Sequence, residues 1–337
     1  MMPNIMLTYR CNLHCPYCFA NEFVNKEKTD ITIRDFLKAV SFITRTESYV
    51  GIIGGEPTVH PGFQTIMELL ADNPKVKGIR LFTNGILLDR YMPQVTHPKV
   101  EICVNVNSPE NMGEKAFAAL RRNLDILILE MHRKEKVQLG FNLYSDGMDY
   151  SYMTELLQHY DMHSVRTSLT VPDFSQGGET DAMAYFRQRK AFLLEFYRKM
   201  DSIQVLPFSD CNHPPFCIWD EEEKQWLESY VRKYATRDFK LIEPWSRCTP
   251  VLDILPTLQA VRCFGMSDFM KVPISDFRDV PDLYSFFLNE IDAVAYKLPA
   301  CGDCTDCHER KTLHCLAGCI GYKAARIRAC NEAIERG

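Results

Sequence analysis

The sequence has no apolar run approaching the about 20 residues that cross a bilayer, and its start has neither the apolar core nor the cleavage site of a secretory signal. It has no large basic block and its net charge is −5, which argues against a nucleic-acid partner. No G-x-G-x-x-G follows a strand, so no nicotinamide-binding turn is read. These absences leave a cytoplasmic protein with no membrane partner as the expectation. Apolar residues make up 46% and charged residues 25% of 337, ordinary for a globular chain long enough for one large domain or two.

Cysteine is what the sequence has in excess, with 14 residues. In a reducing compartment that load points to metal ligands rather than disulfides. Cys11, Cys15 and Cys18 stand C-x3-C-x2-C directly after an apolar run that reads as a strand ending at Tyr9. Three thiolates on one short loop can converge on one metal centre, and a cluster of four irons normally takes four cysteines. The next cysteine is Cys103, so the simplest reading is a [4Fe-4S] cluster with one open iron that can hold a substrate or cofactor.

Alternating strands and helices fill the first half. A helix is read from Thr32, with Asp35 as a capping-box variant. Others are read over 63–71, 114–134 and 152–160. Strands are read at 49–53, 78–82, 100–107, 137–144 and 164–171. This alternation predicts a parallel sheet with right-handed crossovers. Gly54-Gly55-Glu56-Pro57-Thr58 follows the second strand, at the carboxyl end where such folds put their chemistry. The two glycines allow close backbone approach, and Glu56 can accept a hydrogen bond from an ammonium group.

The Cys11/Cys15/Cys18 loop with Tyr17, together with Gly54, Gly55, Glu56 and Pro57, resembles the signature of the radical S-adenosylmethionine (SAM) enzymes. The resemblance implies an α/β fold: a (β/α)6 partial TIM barrel over 1–175, a bridge over 176–245 and a cysteine-rich domain over 246–337. It implies that the open iron chelates SAM, whose reductive cleavage gives a 5′-deoxyadenosyl radical that abstracts a hydrogen atom from a substrate. The Gly-Gly-Glu-Pro strip then holds the SAM amino group. Polar residues at later strand ends (Asn84, Asn105, Ser108, Asn142 and Arg166) are candidates for the ribose and carboxylate, and Thr83 and Asn107 stand beside them.

Eight cysteines lie after residue 247: Cys248, Cys263, Cys301, Cys304, Cys307, Cys315, Cys319 and Cys330. Cys248 and Cys263 flank a predicted hairpin at 251–261, and a final helix carries Cys330. This half resembles the SPASM extension, or its shorter Twitch relative, of radical SAM enzymes, which carries one or two auxiliary [4Fe-4S] clusters. By that pattern Cys248, Cys263 and Cys319 share one cluster, completed by Cys301, and Cys304, Cys307, Cys315 and Cys330 share the other. The seven-residue gap after Cys307, the missing Gly before Cys263 and the short gap to Cys330 depart from the pattern. A zinc ribbon is the alternative for the C-x2-C and C-x3-C pairs. Cys211 and Cys217, in a proline-rich stretch at 204–219 expected to line a substrate cavity, have no supporting spacing. Cys103 reads as a small buried hydrophobe.

The resemblance points to hydrogen abstraction from a peptide, giving a crosslink, an epimer or an oxidised side chain. The same chemistry on a small molecule is the second reading, and a non-catalytic iron–sulfur electron carrier the third. An electron donor such as flavodoxin or ferredoxin is implied. Because the first strand starts by Asn4, a peptide is expected to need another docking surface or a separate leader-binding protein.

Overall fold

The structure, a computed structural model, describes residues 2–18, 20, 23–26, 29–174, 177–234, 247–267 and 269–336. Its main elements are β1 (Asn4–Met6), α1 (Ile33–Ile43), β2 (Tyr49–Ile53), α2 (Phe63–Asp72), β3 (Gly78–Thr83), β4 (Val100–Asn105), α3 (Glu114–Leu124), β5 (Val137–Leu143), α4 (Ser151–His159), β6 (Ser164–Leu169), α5 (Ala182–Ser202), β7 (Leu206–Cys211), α6 (Glu221–Tyr234), β8 (Asp253–Ile254), β9 (Gln259–Val261), β10 (Val272–Pro273), α7 (Val280–Phe287) and α8 (Gly321–Arg336). The fold is α/β, with a large, mostly parallel sheet. Two compact units divide it: residues 1–141, 150–156 and 250–287 form the first, and 142–149, 157–249 and 288–337 the second.

In the first unit the strand order is β10-β9-β8-β1-β2-β3-β4-β5. From β8 to β5 neighbouring strands run parallel, while β8, β9 and β10 pair antiparallel. One row of side chains explains the register. Ile254, Ile5, Ile52, Leu81, Ile102 and Val137 lie side by side across six strands, and all are buried. A one-residue slip on any strand would remove its member from this row. The adjacent row is polar: Asn4 Nδ2 donates to Asp253 at 2.7 Å and Arg80 pairs with Glu101 at 2.9 Å. Gly51 faces Asn4 so closely that an added Cβ would lie 1.9 Å from its Oδ1.

The helices follow local chemistry. Thr32 caps α1 by accepting the Asp35 N–H at 3.1 Å, and the helix buries Phe36, Ala39, Val40 and Ile43. The helix predicted over 114–134 ends earlier. After α3 the run Asp125–Glu130 widens to a π-turn, with Met131 N–H donating to Ile126 O. Four consecutive apolar residues there are more than one α-helical face can cover; Leu127 and Ile128 are buried and Leu129 is exposed.

In the second unit β6 and β7 pair in parallel. The sequence reading missed β7 because of its proline. Pro207 stands opposite Val165, and a strand tolerates proline where the missing N–H is not needed by a neighbour. Of the 204–219 stretch, Pro207, Ser209, His213, Pro214, Phe216 and Trp219 line an aromatic pocket with Tyr197 and Tyr230. No helix among the described residues is long and apolar enough to cross a membrane.

Leu81→Ala removes the centre of the apolar row. It should lower stability by about 3 kcal/mol, read as an earlier midpoint in chemical denaturation with a sheet still visible by circular dichroism.

Candidate cofactor and metal centres

The parallel strands of the first unit aim their carboxyl ends the same way, so the segments after β1, β2, β3 and β4 share one edge. The Cys11–Cys18 loop follows β1. The chain then returns to pair with it: Asn25 N–H donates to Tyr9 O at 2.8 Å, Tyr9 N–H to Thr29 O at 3.0 Å, and Ile31 N–H to Leu7 O at 2.8 Å. Asn25, at φ +61°, accepts the Cys11 N–H on its side chain at 2.9 Å. Asp30 takes a bidentate pair from Arg10 (3.0 and 2.7 Å) and the Thr8 hydroxyl at 2.6 Å. Sequence reading missed Arg10, Asn25 and Asp30, which sit in irregular chain with no periodic signal.

The glycine strip is fastened to this loop by its backbone. Gly55 N–H donates to Thr8 O and Glu56 N–H to Arg10 O, both at 2.8 Å. A Cβ on Gly55 would lie 2.4 Å from Arg10 O and 3.1 Å from Cys11 Cβ, so only glycine allows this approach. The carboxylate of Glu56 is buried. Oε1 accepts the Thr58 N–H (3.1 Å), the Thr58 hydroxyl (2.6 Å) and the Thr83 hydroxyl (2.7 Å), and Oε2 accepts the Asn84 N–H (2.7 Å). Burial raises its pKa and these donors pull it back. Glu56 thus locks the end of β2 to the end of β3.

Asn84 also donates to Asn12 Oδ1 at 2.7 Å, reaching the cysteine loop. Asn107, buried after β4, hydrogen-bonds the Cys15 thiol. The hydroxyl of Ser108 instead caps a short helix through the Asn111 N–H at 3.2 Å. Asn105 is half-buried in β4, Tyr17 is half-buried in the loop, and Pro57 is buried behind the glycines. Asn142, in β5, and Arg166, in β6, belong to the second unit.

Burial pushes the Cys11 thiol up to about 12 and the Cys15 thiol up to about 11, and raises Cys18. Each also receives a hydrogen bond that favours the charged form. Leu13 N–H meets Cys11 Sγ at 3.4 Å, Ala20 N–H meets Cys18, and the Asn107 side chain meets Cys15. Three half-buried sulfurs with donors aimed at them suit thiolates neutralised by bound iron. An apolar cluster of Met6, Tyr9, Phe23, Ile53, Leu255, Val261 and Phe264 backs the loop and keeps water from it. Tyr9 stacks on Phe23 at 5.1 Å, and Phe23 meets Phe264 edge-on at 6.4 Å. Phe264 brings the predicted hairpin into this site, and Cys263 just before it lies 3.7 Å from the buried Arg262 guanidinium.

The second unit gathers its thiols in three neighbourhoods. The Cys319 thiol is hydrogen-bonded to those of Cys211 and Cys248. Cys301 Sγ lies 3.6 Å from Cys304 Sγ, so its thiol neighbour is Cys304. Cys217 faces Cys315 and Cys307. Backbone N–H groups meet sulfur here too, Ala317 to Cys315 at 3.3 Å and Gly321 to Cys319 at 3.4 Å. Three cations fasten the 295–305 segment by its carbonyls: Lys323 to Ala295 and Leu298, Arg310 to Lys297, Cys304 and Thr305, and Arg326 to Pro299 and Ala300. Among the described residues no three His, Cys, Asp or Glu side chains form a ready single-ion site, so these sulfurs are neighbours rather than a finished cage. Cys330 lies on α8 with its side chain outside the described residues. Cys103 is buried in β4.

Residues 5–135 match the model described as the Radical SAM superfamily. Among curated proteins the chain is 33% identical over 122 residues to the molybdenum cofactor biosynthesis protein moc-5 of Caenorhabditis elegans, covering 35% of this chain and 20% of that protein. It is 36% identical over 84 residues to the GTP 3′,8-cyclase of Pasteurella multocida, covering 24% and 25%. The chain therefore spans a quarter or less of these relatives' own length. Among solved structures it resembles Streptococcus suis SuiB bound to S-adenosylmethionine, with TM-score 0.57 and 12% identity over 94% of this chain and 72% of SuiB. SuiB bound to its precursor peptide SuiA gives TM-score 0.52, 12% identity, and coverage of 86% and 64%.

Glu56→Ala would strand four buried donors, each costly to leave unmet. We expect a loss of about 3 kcal/mol in thermal or chemical denaturation and a lower iron content after anaerobic reconstitution, with Glu56→Gln milder in both.

Proposed function

We propose, from the premise that the chain belongs to the radical SAM superfamily through residues 5–135, that it modifies a peptide by hydrogen-atom abstraction. Cys11, Cys15 and Cys18 would hold a [4Fe-4S] cluster, with Gly54, Gly55, Glu56 and Pro57 against SAM. When bound, these two cofactors supply a one-electron cleavage that the protein's own groups cannot perform. The chain's own residues position and shield. The Gly55 and Glu56 N–H bonds fix the glycine strip to the cysteine loop. Asn25 fixes the main chain of Cys11, Leu13 N–H and Asn107 meet the Cys11 and Cys15 sulfurs, and the Tyr9–Phe23–Phe264 cluster packs behind them.

The observation that carries this reading is the pair of 2.8 Å backbone bonds joining the glycine strip to the cysteine loop. They bring together two motifs that lie over 40 residues apart in the chain. The peptide is favoured by the extent of the fold likeness, 94% of this chain against SuiB, a protein also seen bound to a precursor peptide. A second reading, a small molecule such as a nucleotide, is favoured by the sequence identity to GTP 3′,8-cyclases. In either case the later cysteines, Cys248, Cys263, Cys301, Cys304, Cys307, Cys315, Cys319 and Cys330, would serve auxiliary [4Fe-4S] clusters in a SPASM-type arrangement. An electron donor such as flavodoxin or ferredoxin, and for a peptide a leader-binding protein, would complete the system in the cytoplasm.

The reconstituted protein, given SAM and dithionite, should produce 5′-deoxyadenosine, and Cys15→Ala should abolish it. Iron-loaded protein that produces none would overturn the proposal. Deuterium transfer into 5′-deoxyadenosine from a labelled candidate peptide, but not from labelled GTP, would settle the substrate class.

A further inference from the structure

The strand β7 was absent from the sequence reading, and its last residue is a cysteine. Ser209 stands opposite Thr167, but the next paired position sets Cys211 opposite Ser168, so β7 carries an extra residue between them. A bulge of this kind re-aims the side chain that follows it. Immediately afterwards Asn212 takes φ +51°, a left-handed conformation that few residues adopt without compensation. The compensation is visible. Asn212 is 4% exposed. Its Oδ1 accepts the Cys319 N–H at 3.1 Å, and its Nδ2 donates to Leu169 O at 3.1 Å and to the Tyr322 hydroxyl at 3.4 Å.

The facing segment is bent in the same way. Gly318, directly before Cys319, has φ +102°, and a Cβ there would lie 2.8 Å from the Phe186 ring and 3.3 Å from Asn212 Oδ1. A left-handed residue therefore adjoins each of the two cysteines, and one side chain, Asn212, ties the two bends together. The result is the sulfur contact already described: Cys319 hydrogen-bonded to both Cys211 and Cys248. Gly321 N–H completes the donors around the Cys319 sulfur.

We infer that Cys211 is a ligand of the auxiliary centre built on Cys248 and Cys319. The inference rests on the auxiliary clusters proposed above and adds to them a residue outside the cysteine pattern of the C-terminal part. A [4Fe-4S] cluster takes four cysteines, and Cys211 raises the set gathered within the second unit from two to three. Cys301 has Cys304 as its thiol neighbour instead.

The test uses the full chain carrying Cys11→Ala, Cys15→Ala and Cys18→Ala, so that reconstituted iron reports the auxiliary centres alone. Adding Cys211→Ala should either remove about four irons per chain or retain the iron and make the reduced EPR spectrum respond to imidazole, which binds a vacated iron. Cys211→Ser, which preserves the packing, should retain iron but shift the EPR signal. If both variants match the background in iron, sulfide and imidazole response, the inference is overturned while the auxiliary clusters stand. If the background itself binds no iron, the auxiliary clusters and this inference fall together. Unchanged circular dichroism in the Ser variant separates ligand loss from misfolding.

Discussion

The candidate centre depends on a contact between two stretches of main chain. Thr8 O and Arg10 O, just before the first cysteine, receive the N–H groups of Gly55 and Glu56. Main-chain groups have no rotamers to choose among, so the separation between loop and strip is set by the strand register and by the missing Cβ of Gly55. Glu56 then turns inward and ties that strip to the end of β3. Asn84, held by the same carboxylate, reaches back to Asn12. The thiols are thus borne on a loop fixed from several sides. Their burial, costly for bare thiolates, becomes an advantage once iron neutralises them.

Much of this was legible in the chain. Cysteine spacing, the glycine strip and Thr32 as a cap are local signals; the structure sets the strip against the cysteine loop and Thr32 at the start of α1. The hairpin after Cys248 was legible because two short apolar runs flank a proline turn. Asp30 and Asn25 were not, since their roles arise from the chain doubling back beside the loop. The strand β7 was hidden by Pro207, because a rule about interior strands does not apply where no neighbour needs the N–H. The same concealment covered Cys211, whose sulfur partner Cys319 lies more than 100 positions later. Spacing motifs capture ligands that share a loop; they miss one delivered by a bulge.

The positive groups of the second unit show a division of labour. Lys323, Arg310 and Arg326 spend their donors on carbonyls of the 295–305 segment, which carries Cys301 and Cys304. Burial holds the Lys323 ammonium down to about 8, although the nearby Cys304 and Cys315 pull the other way. Charge-assisted hydrogen bonds to main-chain carbonyls thereby hold this segment in place.

The interleaved order of the units carries a consequence for how such a chain can be rearranged. β8 adds to β1 in parallel and β9 and β10 extend it, yet all three are encoded after most of the other unit. Severing the chain before residue 250 would leave β1 with a naked flank of main-chain donors and acceptors, the kind of surface that recruits foreign strands. Neither half is a cassette. A recombination event that exchanged the cysteine-rich end for another would have to supply a matching strand along with it.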